Sequence, residues 1–233
     1  MCTIDHRALT LIRISVKRTH SLLYEFILVN SFEMDGEDIH KDNVLLGVTG
    51  SVASIKTAEL VNLLEGANYS VRVMCTENAV RFFNPTELPV PVFRDADEWS
   101  SWEKRGDPVM HIELCKWANV LLLAPLSANT MAKIIAGLAD NLITSVCRAW
   151  HYPAGGNKRA FFAPAMNTAM WEHPITEDQV AKLTRTHCWI MIPPVEKTLM
   201  CGVYGMGAMA EPSTIVQRLR SMGATVQKIR EEQ

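Results

Sequence analysis

Short apolar runs alternate with amphipathic segments along most of this chain, and that alternation restricts its fold more than any other feature. The most distinct run, Asn119-Val-Leu-Leu-Leu-Ala, has the length and the uninterrupted hydrophobicity of a strand that is buried on both faces. Similar runs predict further strands at 44–48, 70–74, 159–163 and 189–192.

Helical segments separate these strands. Apolar residues spaced by three and four predict a helix over 52–65, with Ile55, Leu60, Val61 and Leu64 on its buried face. Further helices are predicted through Ala79, Val80 and Phe83, and at 112–117, 129–136, 140–150 and 211–222. Because strands that alternate with helices imply right-handed crossovers, we expect an α/β fold. It would be a three-layer αβα sandwich with a mostly parallel sheet, Rossmann/flavodoxin-like, in a single domain.

The chain is expected to have three parts. Residues 1–42 read as a poorly ordered N-terminal extension, 43–228 as the folded domain and 229–233 as a short polar tail. Two interpretations of the extension stay open. The basic residues within 1–33 suggest organelle targeting, whereas the acidic ones favour a variable or upstream segment with translation starting at Met34.

Composition excludes several classes of protein. Lys plus Arg number 23 and Asp plus Glu number 25, so the net charge of −2 gives no electrostatic case for binding nucleic acid or a membrane surface. No apolar run reaches the roughly 18 residues that span a bilayer. None of the six cysteines forms a C-x-x-C pair, so we predict no metal site and a reduced, cytoplasmic setting.

Ligands of parallel sheets bind beyond the carboxyl ends of the strands, so the strand-to-helix loops are the candidates for function. The first, Gly47-Val-Thr-Gly-Ser-Val-Ala-Ser, resembles a phosphate cradle but has neither the G-x-G-x-x-G nor the Walker pattern. The second, Ala124-Pro-Leu-Ser-Ala-Asn-Thr, places Ser127 where it caps the next helix. The third is Ala163-Pro-Ala-Met-Asn-Thr-Ala-Met-Trp.

Two reactive side chains complete the candidate set. His111 stands near the start of a short helix, where the neutral imidazole is favoured and suits a general base. Cys201 opens a glycine-rich loop, 201–210, with the freedom of a lid, from which a thiol delivers a proton or a nucleophile. A Cys–His nucleophile is a further interpretation, but no protease signature accompanies it.

Seven segments, in order between about residues 44 and 222, resemble the flavin-dependent cysteine decarboxylase family. They are Gly50-Ser-Val-Ala, Asp95-Ala-Asp-Glu-Trp, Asp107-Pro-Val-Met-His-Ile-Glu-Leu, Ala124-Pro-Leu-Ser-Ala-Asn-Thr, Ala139-Asp-Asn-Leu, Pro164-Ala-Met-Asn-Thr-Ala-Met-Trp and Cys201-Gly through Gly207-Ala-Met-Ala-Glu.

The resemblance implies an FMN-bound homotrimer with flavin sites at subunit interfaces, and a small thiol carboxylate as substrate. Flavin contacts would come from Gly50, Ser51, Val52, Thr76, Phe83, Ser127, Ala128, Asn129 and Thr130. His111 would be the base, and Cys201 the proton donor on the flap that covers the substrate. Substrate contacts would come from Asn167, which grips the carboxylate, and from Met170, Ala165 and Lys116.

The implied reaction converts 4′-phosphopantothenoylcysteine to 4′-phosphopantetheine, through oxidation of the thiol to a thioaldehyde, loss of CO₂ and re-reduction of the resulting ene-thiolate by the reduced flavin. Four positions depart from the family pattern. Cys115 and Lys116 replace two arginines, Val203 replaces the acid of Cys-Gly-Asp, and Met206 replaces a smaller or polar residue. Since lysine lacks the bidentate fork of arginine, substrate contacts near Lys116 are expected to differ.

Two other functions of related flavoproteins compete with this one. A non-catalytic flavin-binding regulatory subunit, of the kind that inhibits a protein phosphatase, would lack part of the catalytic set, which this chain keeps complete. A flavoprotein acting on peptidyl cysteine, or as a prenyltransferase, is disfavoured by the His-Ile-Glu-Leu and Cys-Gly segments.

Overall fold

Six parallel strands form the central sheet of the computed structural model, which describes residues 42–100, 103–150, 158–199, 202 and 204–231. The strand order is β3-β2-β1-β4-β5-β6. The strands are β1 (Asn43–Val48), β2 (Ser70–Cys75), β3 (Val92–Phe93), β4 (Val120–Leu126), β5 (Arg159–Pro164) and β6 (Ile190–Met191). The predicted extension, apart from Asp42, lies outside the described residues.

Helices cover both faces of this sheet. They are α1 (Thr57–Gly66), α2 (Asp95–Ser100), α3 (Met110–Trp117), α4 (Ala128–Ala136), α5 (Leu142–Ala149), α6 (Thr168–Trp171), α7 (Pro174–Arg185) and α8 (Pro212–Glu231). No helix in the described ranges has both the length and the apolar character that crossing a membrane requires.

The pleat of the strands divides the core into two layers. Leu46 and Leu122 point to the face covered by α1 and α8, where Ile215 is buried with them. Leu45 and Leu121 point to the opposite face, against α3, α4, α5 and α7. Successive residues of a strand face opposite sides, so uninterrupted apolar runs are what a doubly covered sheet requires. The predicted three-layer α/β sandwich is confirmed.

The predicted buried face of the first helix was wrong at one residue. Residues Val52–Lys56 form a 3-10 helix and only Thr57–Gly66 is α-helical, so the periodicity changes within the segment. Leu60, Val61 and Leu64 are buried as predicted, whereas the side chain of Ile55 is 55% exposed.

The predicted helix through Ala79, Val80 and Phe83 is also shorter than expected. A single 3-10 turn spans Ala79–Arg81, and the chain is extended at Asn84. Asn84 precedes Pro85, and the proline ring disfavours helical geometry in the residue before it, so a helix cannot continue there.

The glycine-rich segment that was predicted to be a loop is largely strand. Strands β7 (Val195–Thr198) and β8 (Tyr204–Ala208) pair antiparallel as a separate hairpin beside the main sheet. Helix α7 was not predicted either, although His173 and Pro174 supply a cap and an N-terminal proline. The closing helix α8 extends past its predicted end at Met222, to Glu231.

Candidate functional site

A cleft of about 400 Å³ opens at the carboxyl ends of β1, β2 and β4. Its volume lies within the range of pockets that hold cofactors and other small molecules. The cleft is lined by Gly50, Thr76, Glu77, Asn78, Asp95, Ser127, Asn129, Thr130, Lys133, Asp140 and Asn141. Five of these residues were predicted to contact flavin from the sequence resemblance, and the fold brings those five together.

Thr49 joins the first loop to the second through two side-chain hydrogen bonds. Its hydroxyl donates a hydrogen bond of 2.8 Å to the carbonyl of Pro125 and accepts one of 2.8 Å from the backbone N–H of Ser127. The side chain is fully buried, and the partners are more than 70 residues away in the chain. Sequence reasoning missed Thr49, whose signal was a polar residue directly after a buried strand.

Gly50 allows the first loop to approach the loop that follows β2. A Cβ atom at Gly50 would stand 2.8 Å from the Cβ of Asn78, which is closer than two carbon atoms tolerate. Ser51 then caps the 3-10 helix by accepting a hydrogen bond of 3.4 Å from the N–H of Ala53. The absence of a side chain at Gly50 therefore sets the width of the cleft.

The hydroxyl of Thr76 has no hydrogen-bond partner among the described residues. Its oxygen is buried, although Thr76 lines the cleft. Unpaired buried hydroxyls cost roughly 1–3 kcal/mol, so their occurrence in a cleft indicates a ligand that pairs with them. The ring system and ribityl chain of FMN carry such polar atoms, so the residues present fit this cofactor.

The amino terminus of α4 faces the same cleft. Ser127 caps the helix by accepting a hydrogen bond of 3.3 Å from the N–H of Thr130, which confirms its predicted capping role. The positive end of a helix dipole favours anionic groups nearby. Farther along the rim, Lys133 pairs with Asp140, and the hydrogen bond from its ammonium holds the pKa of Asp140 below its ordinary value.

His111 lies on the first turn of α3 and contacts a carboxylate. Its Nδ1 is 2.5 Å from Oε1 of Glu98 on α2, and the two side chains are 27% and 13% exposed. Helix α2 is held by Asp95, which accepts a hydrogen bond of 2.7 Å from the N–H of Leu142 at the start of α5. Burial raises the pKa of Asp95, and this hydrogen bond partly opposes the rise.

The third loop supports the β7–β8 hairpin through close backbone contacts. The N–H of Met166 donates a hydrogen bond of 2.9 Å to the carbonyl of Gly207. Gly207 has a φ of +133°, and any Cβ there would overlap the Met166 carbonyl oxygen. Asn167 begins α6 and caps it by accepting a hydrogen bond of 2.8 Å from the N–H of Ala169. Cys201, predicted at the head of the glycine-rich loop, lies outside the described residues.

Lys116, Phe83 and Cys115 are not among the residues that line this cleft. Lys116 lies at the far end of α3 from His111, is 67% exposed and pairs with Glu113. Phe83 is partly buried against the core layer of α1 and α8. Cys115, at the position where the family commonly has arginine, is buried and turns its thiol toward the Val146 carbonyl at 3.5 Å.

The described cysteines are expected to differ sharply in reactivity. Burial raises the pKa of Cys75 to about 12 and that of Cys115 to about 11, and it holds the pKa of Cys147 far above its ordinary value. Because only the thiolate reacts, iodoacetamide at pH 8 should modify exposed Cys188 and spare these three. Peptide mass mapping of native protein, against denatured protein as the control, measures this. Labelling of Cys75 at the rate of Cys188 would contradict it.

Comparison with known proteins finds relatives that match most of the chain. The chain is 50% identical to phosphopantothenoylcysteine decarboxylase of Mus musculus over 183 residues, covering 78% of this chain and 87% of the relative. It is equally identical, 50% over 183 residues, to the enzyme of that name from Arabidopsis thaliana, with 77% and 84% covered.

Solved structures give the same result. A mutant PPC decarboxylase complexed with pantothenoylaminoethenethiol superimposes with a TM-score of 0.73 at 48% identity, covering 78% of this chain and 97% of that one. The FMN-binding protein AtHal3 superimposes with a TM-score of 0.69 at 46% identity, with 83% and 99% covered. The profile of the Flavoprotein family matches residues 33–222, which is most of the chain. This protein therefore belongs to the Flavoprotein family.

Proposed function

We propose that this protein is the FMN-dependent decarboxylase that converts 4′-phosphopantothenoylcysteine to 4′-phosphopantetheine in coenzyme A biosynthesis. The observation that carries the proposal is the cleft itself, which is lined both by Thr76, whose hydroxyl has no hydrogen-bond partner among the described residues, and by the amino terminus of α4. The relatives of the same name, at about half identity over most of their length, support the assignment of substrate.

FMN would be held by the loops that follow β1, β2 and β4. Gly50, Ser51 and Val52 would surround its phosphate, and Thr76 would pair with a polar atom, with Phe83 nearby. Contacts from the α4 terminus would come from Ser127, Ala128, Asn129 and Thr130. When bound, FMN would supply the reversible oxidation of the substrate thiol to a thioaldehyde, which would serve as the electron sink for loss of CO₂, and it would return the electrons afterwards.

The protein's own residues supply position and proton transfer. His111, with its Nδ1 engaged by Glu98, would accept the thiol proton. The side-chain amide of Asn167 would donate to the substrate carboxylate, because its Oδ1 is occupied by the cap of α6. Ala165 and Met170 would flank the substrate, and Lys116 would meet its charged groups. Cys201 would protonate the carbon that has lost CO₂.

The protein would act as a cytoplasmic homotrimer with flavin sites at subunit interfaces. Several apolar side chains are exposed on the segments that carry the predicted site, and contact with another subunit would bury them. Ile55 follows the first loop and is 55% exposed, and Leu138 lies beyond α4 and is 49% exposed. Val109 and Ile112 flank His111 and are 38% and 36% exposed.

The deciding experiment is anaerobic incubation of the purified protein with 4′-phosphopantothenoylcysteine, following CO₂ release and product mass together. We expect stoichiometric CO₂ and 4′-phosphopantetheine, and a variant with Cys201→Ser should release CO₂ without forming the saturated product. A protein that carries FMN and releases no CO₂ would refute the decarboxylase and favour a flavin-binding regulatory subunit.

Replacing Thr76 with valine tests the cofactor site directly. The hydroxyl makes no protein hydrogen bond among the described residues, so Thr76→Val removes the cost of an unpaired buried group and should not lower the unfolding midpoint of the apoprotein. One neutral hydrogen bond contributes about 0.5–1.5 kcal/mol, so FMN affinity should fall by roughly 2- to 12-fold. Fluorescence titration of FMN measures this, with Thr214→Val on the exposed side of α8 as the control. Unchanged affinity would remove Thr76 from the site.

A further inference from the structure

The contact between His111 and Glu98 joins two helices that the sequence motifs treat separately. Glu98 belongs to the Asp95-Ala-Asp-Glu-Trp segment and His111 to the segment that begins at Asp107. Thirteen residues separate them, yet Glu98 Oε1 lies 2.5 Å from Nδ1 of His111. Glu98 is the more buried partner, with 13% of its side chain exposed. A mostly buried carboxylate this close to an imidazole restricts the choice of tautomer and the orientation of the ring.

We propose that Glu98 is a positioning residue for the general base His111. Helix α2, which carries Glu98, would thereby fix the position of His111 relative to the cleft. The inference rests on the proposed function, because it assigns the orientation of the group that takes the substrate proton. Glu98 itself would touch neither substrate nor flavin.

The tautomer follows from the chemistry of the two side chains. A carboxylate only accepts hydrogen bonds, so Nδ1 of His111 must carry the hydrogen. The neutral ring then has its lone pair on Nε2, which becomes the basic atom. When Nε2 takes a proton, the ring becomes a cation, and the adjacent carboxylate stabilises that charge. The same logic underlies the carboxylate that orients histidine in hydrolase triads.

Helix α2 connects this pair to the cleft. Asp95 lines the cleft and accepts the N–H of Leu142, which anchors the first turn of α2 to the start of α5. Asp97 accepts the N–H of Arg94 at 2.7 Å and closes the same turn. Asp95 and Glu98 are three residues apart and therefore lie on the same side of the helix. Asp95, the first residue of α2, therefore lines the cleft from the same side of the helix on which Glu98, the fourth residue, contacts His111.

Kinetics of two Glu98 variants test the role. Glu98→Ala removes the acceptor, and we expect kcat to fall about 10- to 100-fold while KM changes less than threefold. The loss in kcat cannot exceed the whole contribution of general base catalysis, which is roughly 10²–10⁴-fold. Glu98→Gln retains an acceptor oxygen without the charge and should lose less than Glu98→Ala. Glu65→Gln, an exposed carboxylate on α1, is the matched control and should retain the parent rate.

A double-mutant comparison separates positioning from general damage. If Glu98 acts only through the imidazole, adding Glu98→Ala to His111→Ala should change kcat by less than twofold. A further loss of tenfold or more in the double variant would overturn the proposal, because Glu98 would then act independently of His111.

A spectroscopic measurement tests the inference without any turnover. Ring ¹⁵N shifts of His111, assigned by comparison with His111→Ala, should report hydrogen on Nδ1 alone in the parent protein and a mixture of tautomers in Glu98→Ala. FMN content and melting temperature establish that the variant is folded. An unchanged tautomer in Glu98→Ala would overturn the proposal. Absence of decarboxylase activity with the expected tautomers would refute the proposed function and leave the positioning contact in place.

Discussion

Substitution of His111 by asparagine should lower kcat for decarboxylation by about 10²- to 10⁴-fold, the contribution of a well-placed general base. Asparagine suits this test because its Nδ2 group is a donor near the position of the imidazole Nδ1, so the contact with Glu98 survives. An amide has no basic nitrogen, so the proton acceptor alone is lost. Steady-state CO₂ release measures the effect, and flavin absorbance reports whether the cofactor is retained.

His173 offers a matched control for this change. Its Nδ1 accepts a hydrogen bond of 3.3 Å from the N–H of Ile175 and caps α7. Asparagine is among the preferred capping residues, so His173→Asn should preserve both fold and turnover. Equal losses in the two variants would indicate a general structural effect. Full activity in His111→Asn would remove His111 from the mechanism.

Replacing Gly207 with alanine should disrupt the contact between the β7–β8 hairpin and the third loop at Met166. The added methyl group would overlap the carbonyl oxygen of Met166, which is backbone and cannot turn away as a side chain does. The φ of +133° adds strain for any residue with a Cβ. Overpacking and backbone strain each cost about 1–3 kcal/mol, so the variant should lose about 2–6 kcal/mol of unfolding free energy. Urea unfolding measures that loss.

Gly106 provides a control that separates the cost of steric overlap from the cost of backbone strain. Its φ of +106° is also unfavourable for alanine, but a Cβ there would lie within 4 Å of no other atom in the described part of the chain. Gly106→Ala should therefore cost only the backbone penalty, about 1–3 kcal/mol. If both variants lost the same stability, contact with Met166 would contribute nothing. We also expect Gly207→Ala to lose decarboxylase activity before it loses its fold, since the hairpin is the proposed support of Cys201.

The sheet could be predicted from sequence because its signal is local. Each apolar run carries enough buried side chains to identify a strand, as Val44–Val48 and the run at Asn119 do. The loops after β1 and β4 were correctly brought together because parallel strands end at one edge. The motif resemblance then supplied the cofactor, which the bare residues would not have identified.

What the sequence could not reveal depends on distant contacts. The hydroxyl of Thr49 has meaning only when Pro125 and Ser127 are beside it, and nothing within its own loop indicates that. Strand β8 was mistaken for a loop because glycines weaken strand propensity, and its pairing with β7 and packing on the third loop override that tendency. Ile55 was misplaced because a 3-10 turn is not visible in helical periodicity.

The cleft also has a consequence for the lifetime of the protein. Loops that follow β1, β2 and β4 meet there only when the sheet is complete, so the unfolded chain has no comparable affinity for the cofactor. A ligand that binds only the native state adds about 2.7 kcal/mol of stability when its concentration is 100 times its dissociation constant. Supply of flavin would therefore govern how long each chain resists proteolysis, and riboflavin shortage would lower the amount of enzyme as well as its activity.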